Sequence, residues 1–132
     1  MATLQGTLES HALVLPAQAN HRGTLFAGHG LQWMSQAAFL AARGRAGREV
    51  VMAGVTGVRF IAPVPVGRQL TLRARVSRVG RTSMTVCVTG LSTAPGGACE
   101  EALSGVFEMV AVDAAGRPAA IDPSPQPQET TA

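Results

Sequence analysis

One segment of the chain predicts a helix that is apolar on every side and carries no charge before Arg43. Its apolar residues are Leu31, Trp33, Met34, Ala37, Ala38, Phe39, Leu40, Ala41 and Ala42. A helix on the surface of a soluble protein normally has a single apolar stripe, so an all-round apolar helix must be covered by other structure. At roughly fifteen residues the segment is too short to cross a bilayer, which requires about twenty. We therefore expect the rest of the chain to wrap this helix.

The remainder of the chain predicts β-strands. After Glu49 apolar and polar residues alternate with a period of two, as in half-buried strands. This alternation and the turn residues predict strands near residues 9–15, 50–61, 70–77, 84–89 and 103–111. One strand, one long helix and four further antiparallel strands predict an α+β fold, in which a five-stranded antiparallel sheet wraps around one long central helix.

A chain of 132 residues is expected to form one domain. We place this single domain at residues 1–113, and the proline-rich, apolar-poor residues 114–132 are predicted to be a disordered tail. The N-terminus lacks a basic region followed by an apolar run, so no signal peptide is predicted and the protein is expected to be cytoplasmic.

Cys87 and Cys99 are poorly placed to pair, and both are predicted to be free thiols.

The net charge of +3 arises from eleven arginines and eight acidic residues, with no lysine. Arginine suits an anionic ligand because its guanidinium binds phosphate through two parallel hydrogen bonds. Nucleic acid is not expected as a partner, because the arginines are spread singly and the chain has only four Phe, one Trp and no Tyr for base stacking. Neither a membrane nor a metal ion is expected as a partner.

Several motifs combine glycine, proline and polar residues at defined spacings. They are Asn20-x-x-Gly23-x-Leu25-Phe26-x-Gly28 with Leu31-x-x-Met34, Phe60-x-x-Pro63-Val64-x-Val66-Gly67, Val79-Gly80-Arg81-Thr82-Ser83-Met84 and, more weakly, Phe107-x-x-Val110-Ala111-Val112-Asp113-x-x-Gly116. In this order and spacing the set resembles the hotdog-fold acyl-CoA thioesterases, specifically the acyl-CoA hydrolase branch. The resemblance covers most of the chain from about Leu15 to Pro118.

The resemblance implies a hotdog fold and a homodimer whose active sites lie at the subunit interface, assembled further into a tetramer or hexamer. It also implies hydrolysis of acyl-CoA to a free acid and CoA, in which water attacks the thioester carbonyl while backbone amides at the helix N-terminus hold the oxyanion. Coenzyme A then enters only as part of the substrate, and no cofactor is expected.

The start of the helix has physical properties that suit this chemistry. A helix N-terminus presents free N–H groups and the positive end of the helix dipole, which favour negative charge developing on a carbonyl oxygen. Gly28 and Gly30 allow a substrate to approach the backbone closely. We predict that the amides of Ala27 and Gly28 are the oxyanion donors, although the glycines also suit a tight turn into the helix.

Ser35 occupies the position of the catalytic acid. Members of the family carry Asp or Glu directly after the residue that matches Met34, whereas this chain has Ser35 and no acidic residue between Glu9 and Glu49. Ser35 is interpreted as positioning water in a slow thioesterase, as a nucleophile activated by a partner histidine, or as a neutral residue in a non-catalytic acyl-CoA binding protein. Its hydroxyl also suits a bond to the carbonyl four residues earlier. Asn20, fifteen residues before Ser35 as in the family, is predicted to position water or the thioester carbonyl.

The resemblance also assigns residues that bind the remainder of the substrate. Arg81, Thr82 and Ser83 are expected at a turn between strands, near the pantetheine arm and the nucleotide phosphates of CoA. Arg59 or Arg78 is expected to assist them. The acyl chain is predicted to run beside the helix against Trp33, Met34 and residues of the partner subunit.

Overall fold

A computed structural model describes residues 6–123. Its elements are β1 (Thr7–Leu13), a short 3₁₀ helix (Pro16–Gln18), α1 (Ala27–Ala46), β2 (Val50–Phe60), β3 (Gln69–Val79), β4 (Ser83–Thr93) and β5 (Cys99–Ala111). The strands form one sheet in the order β1-β3-β4-β5-β2, and all neighbouring strands are antiparallel. The predicted α+β architecture, with five antiparallel strands and one long helix, is confirmed.

The core lies between one side of α1 and one face of the sheet. Ala38, Ala41 and Ala42 on the helix are fully buried, and α1 contacts all five strands. Alanine has a short side chain, so the helix backbone can lie close to the sheet. Alternate residues of the central strands complete this core, including Met84, Val86, Val88, Leu103, Phe107 and Met109.

The opposite side of α1 is not covered by the described part of the chain. Leu40 is 44% exposed and Phe39 is half-buried, while Gln32 and Gln36 are exposed. The predicted sheet therefore wraps one side of α1, while cover of every side of the helix is not seen within residues 6–123. A single sheet contacts only one side of a helix, so the other apolar residues of α1 stay uncovered by residues 6–123 and form a surface that other structure can cover.

Strand β2 forms an apolar edge of the sheet. Val51, Met52, Val55 and Phe60 are 38% to 50% exposed, and the pairing with β5 is interrupted at two irregularities. An edge strand offers unpaired backbone groups to another strand. The exposed edge and the uncovered flank of α1 meet at Met52, so they form one continuous apolar surface.

The helix ends as its sequence favours. Gly47 adopts the left-handed conformation with φ 67°, and its N–H donates to the carbonyl of Arg43. Arg43 and Arg45 lie in the last turn, at the negative end of the helix dipole.

No helix among residues 6–123 is both long and apolar enough to cross a membrane. Localisation in the cytoplasm stays a prediction of the sequence.

Residues 114–123 pack against the domain, although the sequence assigned them to the disordered tail. Ile121 is 5% exposed and belongs to the core, and the N–H of Ala119 donates to the carbonyl of Ala111 at 2.8 Å. A single apolar residue among prolines gave too weak a pattern to predict this packing. The remainder of the predicted tail, residues 124–132, lies outside the described residues.

The two cysteines are both free, as predicted. Cys99 lies opposite Thr93 in the β4–β5 pairing, whereas Cys87 lies opposite Val106, farther along the same pair of strands. The strand register therefore separates the two thiols.

Replacement of Phe107 by alanine is expected to destabilise the fold strongly. Phe107 is fully buried, and removal of a buried aromatic ring costs about 3–5 kcal/mol of unfolding free energy through lost burial and the cavity that remains. Urea denaturation of the purified variant measures this loss. The matched control is Arg75→Ala on the exposed outer face of β3, which is expected to change stability by less than about 0.5 kcal/mol; equal stability of the two variants would contradict the assigned core.

Candidate active site

The N-terminus of α1 has two unpaired amides. The helix starts after Phe26 without a side-chain cap and without an acidic residue in its first turn. The N–H groups of His29 and Gly30 both donate to the carbonyl of Phe26, at 3.0 and 3.1 Å. Within residues 6–123, no acceptor is found for the N–H groups of Ala27 and Gly28. These two donors lie at the positive end of the helix dipole, where an anionic oxygen is stabilised.

A concavity of about 250 Å³ opens beside these amides, and we name it the terminal concavity. Asn20 and Thr24 give it a polar side, and Phe60 lies on the apolar side. The complete lining is Asn20, Thr24, Leu25, Ala27, Phe60, Ile61, Ala62, Pro63, Val64 and Leu103. Gly30 permits this close packing, because an added Cβ would lie 3.5 Å from the Phe60 ring and 3.3 Å from Leu25.

Asn20 organises the loop that leads into the helix. Its Oδ1 accepts hydrogen bonds from the N–H groups of Arg22 at 2.8 Å and Thr24 at 3.2 Å, and its Nδ2 donates to the Thr24 hydroxyl at 3.1 Å. The loop is also joined to the β2–β3 connection, since the N–H of Leu25 donates to the carbonyl of Val64. The Nδ2 group of an asparagine has two hydrogens, so one donor of Asn20 remains for a ligand in the terminal concavity.

Ser35 lies on the flank of α1 that faces β2. Its hydroxyl donates a hydrogen bond to the carbonyl of Leu31 at 2.8 Å. This bond, to the carbonyl four residues earlier, is one of the alternatives that the sequence allowed for Ser35. The residue lines a second concavity of about 420 Å³, the flank concavity, together with Gln32, Gln36, Phe39, Leu40 and Met52. Because the only hydroxyl proton is used within the helix, Ser35 presents acceptor lone pairs to this concavity.

The predicted catalytic residues do not meet within one chain. Asn20 and Ala27 share the terminal concavity, but Ser35 is eight residues farther along α1, a rise of about 12 Å. Ala27 and Ser35 nevertheless lie on one side of the helix, because residues four and eight positions apart share a face. The groove between α1 and β2, here the α1–β2 seam, thus runs from Phe60 at the terminal concavity to Met52 at the flank concavity.

The predicted CoA-binding turn lies at the other end of the domain. The carbonyl of Thr82 accepts from the N–H of Ala111, and Ala111 pairs with Val50, just beyond the C-terminus of α1. The helix has 20 residues and is therefore about 30 Å long, so Arg81, Thr82 and Ser83 are far from the amides at its N-terminus.

Two arginines retain exposed charges that the described part of the chain does not neutralise. Arg59, adjacent to Phe60 on β2, and Arg81 are both exposed, and neither forms an ion pair within residues 6–123. The Ser83 hydroxyl is less free, because it accepts a hydrogen bond from Arg78 at 3.3 Å. Arg59 and Arg81 are thus both available to an anionic group.

Trp33 lies on the opposite flank of α1 from Ser35. It lines a third concavity of about 230 Å³ between the helix and β1, with Leu8, Ser10, His11, Ala12, Gln36, Ala37, Leu40 and Leu72. Two positions along a helix correspond to a rotation of about 200°, which explains this separation. The structure does not bring Trp33 together with Asn20, Ala27 or Ser35.

The sequence pattern did not indicate the apolar lining of the flank concavity. Phe39 and Leu40 were assigned only to the wrapped helix, and Met52 only to a strand. One feature of the sequence could have indicated this concavity: β2 is apolar, and the helix that precedes it is apolar on every side.

Among residues 6–123, no group of three or more His, Cys, Asp or Glu side chains is arranged to hold a metal ion.

Comparison with known proteins identifies the relatives of this chain. Residues 22–99 match the model of the thioesterase superfamily. The acyl-CoA thioester hydrolase YciA of Escherichia coli is 33% identical over 121 residues, which cover 89% of this chain and 92% of that protein. Among solved structures, an apo-hexameric acyl-CoA thioesterase superposes with a TM-score of 0.88 at 34% identity, covering 98% of this chain and 84% of the other.

The acyl-CoA hydrolase of Staphylococcus aureus, solved with butyryl-CoA, CoA and CoA disulfide, superposes with a TM-score of 0.86 at 28% identity, covering 90% of this chain and 73% of the other. Two variants of this hydrolase have also been solved: in one an asparagine is replaced by alanine, and in the other an aspartate fifteen residues later is replaced by alanine. The same interval separates Asn20 from Ser35 in this chain. The family match, the identity to YciA and the shared architecture lead to one conclusion: this chain is a hotdog-fold member of the thioesterase superfamily.

Proposed function

We propose that this protein hydrolyses acyl-CoA thioesters to a free carboxylic acid and CoA. The observation that carries the proposal is the pair of unpaired amides, Ala27 and Gly28, beside the terminal concavity. The relatives named acyl-CoA thioester hydrolase support the same reaction for this chain.

The proposed reaction begins when the oxygen of water bonds to the thioester carbonyl carbon and releases a proton to the surrounding solvent. The carbonyl electron pair moves onto its oxygen, which accepts hydrogen bonds from the amides of Ala27 and Gly28. When the carbonyl re-forms, the carbon–sulfur bond breaks and the CoA thiolate takes up a proton. One such amide donor typically contributes about 10²–10³ in rate, so the two amides provide substantial catalysis without a nucleophilic side chain.

We infer that the site is completed in a homodimer joined through the exposed β2 edges. Two antiparallel edges related by a two-fold axis form a self-complementary contact. Met52 and Phe60 are equally far from Thr56 along β2, so an axis near Thr56 places Met52 of one copy opposite Phe60 of the other. Further assembly into a hexamer is supported by the hexameric relative.

The same two-fold axis accounts for the separation of the predicted catalytic residues. Ser35 and Met52 both line the flank concavity, and Ala27 and Phe60 both line the terminal concavity. Pairing of Met52 with Phe60 across the axis therefore brings Ser35 of one copy toward the amides of the other. Each α1–β2 seam then contributes to two composite sites, one at each end of the dimer contact.

Ser35 and Asn20 are assigned complementary roles at the attacking water. The lone pairs of Ser35 accept a hydrogen bond from the water, and the remaining Nδ2 hydrogen of Asn20 donates to the water or to the thioester oxygen. The asparagine and aspartate replaced in the Staphylococcus aureus relative, at the same interval, support this correspondence. A serine supplies no general base, so this hydrolase is expected to be slow.

The rest of the substrate is assigned to charged and apolar surfaces of the assembly. Arg59, next to the terminal concavity, binds CoA of the nearer site. Arg81, Thr82 and Ser83 lie at the far end of α1, and we assign them to CoA held in a site formed with a neighbouring subunit. The acyl chain is assigned to the flank concavity, against Phe39, Leu40 and Met52, instead of Trp33.

A second function, acyl-CoA binding without hydrolysis, is favoured by one observation. The Ser35 hydroxyl is bonded within its own helix, so it neither removes a proton from water nor serves as a nucleophile in this rotamer. The fold, the amides and the concavities are compatible with this alternative as well.

Substitutions of Ser35 distinguish the two functions. We expect the unaltered protein to release CoA from acyl-CoA faster than buffer does, and Ser35→Asp to raise kcat/KM by about 10²-fold or more, because a positioned general base contributes about 10²–10⁴. Ser35→Asn, which has the same shape without a carboxylate, is the control and is expected to give no increase. The assay uses substrates with short, medium and long acyl chains. If only the Ser35→Asp variant releases CoA from them, the unaltered protein is not a hydrolase, and acyl-CoA binding is the function that remains.

Substitutions of Asn20 separate its two contributions. Asn20→Ala removes the acceptor for the amides of Arg22 and Thr24. Each of these hydrogen bonds stabilises the loop by about 0.5–1.5 kcal/mol, so exchange of the two amide hydrogens is expected to accelerate. The variant is also expected to have a lower kcat. Asn20→Asp keeps the acceptor but loses the Nδ2 donor, so it is expected to keep slow exchange while still losing activity. Full activity of Asn20→Asp would contradict the donor role.

A charge in the centre of the β2 edge is expected to prevent dimer formation. Val55 is 38% exposed in one chain, so Val55→Asp is tolerated by the monomer but buries an unpaired carboxylate in the dimer contact. Analytical ultracentrifugation is expected to show monomers with little thioesterase activity. Ala114→Asp, in an exposed turn, is the control; an unchanged mass of Val55→Asp would exclude the β2 contact.

A further inference from the structure

The chain after β5 turns back onto the domain. The Asp113 carboxylate accepts hydrogen bonds from the N–H groups of Ala115 at 2.9 Å and Arg117 at 3.0 Å, and Gly116 adopts φ 80°, which favours glycine. Residues 118–123, here called the strap, then run back along the end of the sheet, beginning with a bridge between Pro118 and Val112.

Ile121 anchors the strap at two points. Its side chain is 5% exposed and packs in the hydrophobic core. Its N–H donates to the carbonyl of Arg81 at 2.8 Å. The strap is therefore bonded directly to the residue whose side chain carries the exposed charge of the β3–β4 turn.

Arg45 anchors the strap from the helix. It is 7% exposed, and its Nη1 and Nη2 donate to the carbonyls of Asp122 at 2.9 Å and Pro123 at 3.1 Å. A buried charge is costly unless it is hydrogen-bonded, and this guanidinium is satisfied by consecutive carbonyls of the strap near the negative end of the helix dipole. Arg48 adds an exposed hydrogen bond to the carbonyl of Ala120 at 3.0 Å.

The β3–β4 turn is held by three backbone hydrogen bonds. The N–H of Gly80 donates to the carbonyl of Ser83 at 2.7 Å, and the carbonyl of Thr82 accepts from Ala111 at 2.8 Å. The third bond, from Ile121 to Arg81, is the one that the strap supplies. Loss of the strap thus removes a constraint at Arg81 but leaves the other two bonds.

We propose that the strap positions Arg81 for CoA binding, with Arg45 and Ile121 as positioning residues that do not touch the substrate themselves. This inference rests on the proposed function, in which Arg81 contacts CoA. Arg45 holds the carbonyls of residues 122 and 123, and this fixes the end of the strap. The N–H of Ile121 then holds the Arg81 carbonyl. The fixed backbone of Arg81 in turn limits the positions of its guanidinium. The strap acts on substrate binding, so its loss changes KM and the Kd for CoA more than kcat.

Two variants and their controls test the strap. Ile121→Ala removes the core anchor, and Arg45→Lys keeps the charge but replaces the planar fork with a single ammonium that does not match both carbonyls. Ile121→Val, which keeps most of the apolar side chain, and Arg43→Lys, on an exposed part of the same helix turn, are the controls. Calorimetry gives the Kd for CoA, and steady-state kinetics compare an acyl-CoA with the same acyl thioester of N-acetylcysteamine, which has no nucleotide.

We expect Ile121→Ala and Arg45→Lys to raise the Kd for CoA and the KM for acyl-CoA about tenfold, the scale of one lost charged contact. The KM for the N-acetylcysteamine thioester and both kcat values are expected to stay unchanged, and both controls are expected to match the unaltered protein. Amide exchange at Arg81 and Thr82 is expected to accelerate in the two variants.

An unchanged Kd for CoA despite faster exchange at Arg81 overturns the inference. An equal rise of KM for both thioesters also overturns it, since that result indicates a general structural effect. If the unaltered protein binds no CoA in calorimetry, the proposed function fails first, and the inference fails with it. The Kd of the unaltered protein therefore separates the two failures.

Discussion

The close packing of the alanine side of α1 on the sheet is the interaction on which the rest of this structure depends. Ala38, Ala41 and Ala42 are fully buried, and their short side chains let all five strands reach the helix. Within residues 6–123, the same arrangement leaves the other flank of α1 uncovered and its N-terminus uncapped. Those two exposed features, an apolar flank and a pair of free amides, supply the elements of the proposed site.

A single chain holds these elements apart. The amides and Asn20 lie at one end of the α1–β2 seam, Ser35 lies about 12 Å along the helix, and Arg81 lies at the far end of the domain. The exposed β2 edge offers a physical reason for this distribution, because a two-fold axis through its centre brings the two ends of the seam together. In this proposal the apolar surface that destabilises an isolated chain in water is the surface that assembles the site.

Much of this arrangement was predictable from local patterns. The period-two alternation over β3, β4 and β5 predicted their strands, and the predicted start of the helix indicated free amides near Ala27 and Gly28, whose role as oxyanion donors stays a prediction. The predictions that failed depended on long-range contacts. The all-round apolar helix suggested complete wrapping, although the sheet covers one side, and the proline-rich segment gave no sign that Ile121 and Arg45 would hold residues 118–123 against the domain. Trp33 lies on the opposite flank of α1 from Ser35, and its predicted contact with the acyl chain stays a prediction.

The sequence by itself determined the family, the order of the elements and the interval of fifteen residues between Asn20 and Ser35, because these depend on local periodicity, motif spacing and residue identity. The tertiary structure decided which of the predicted residues share a concavity, which edge is exposed and where the chain after β5 packs. Such relations depend on contacts between residues distant in sequence, such as Ile121 with Arg81 and Arg45 with Pro123, and local patterns carry no information about which distant surfaces meet.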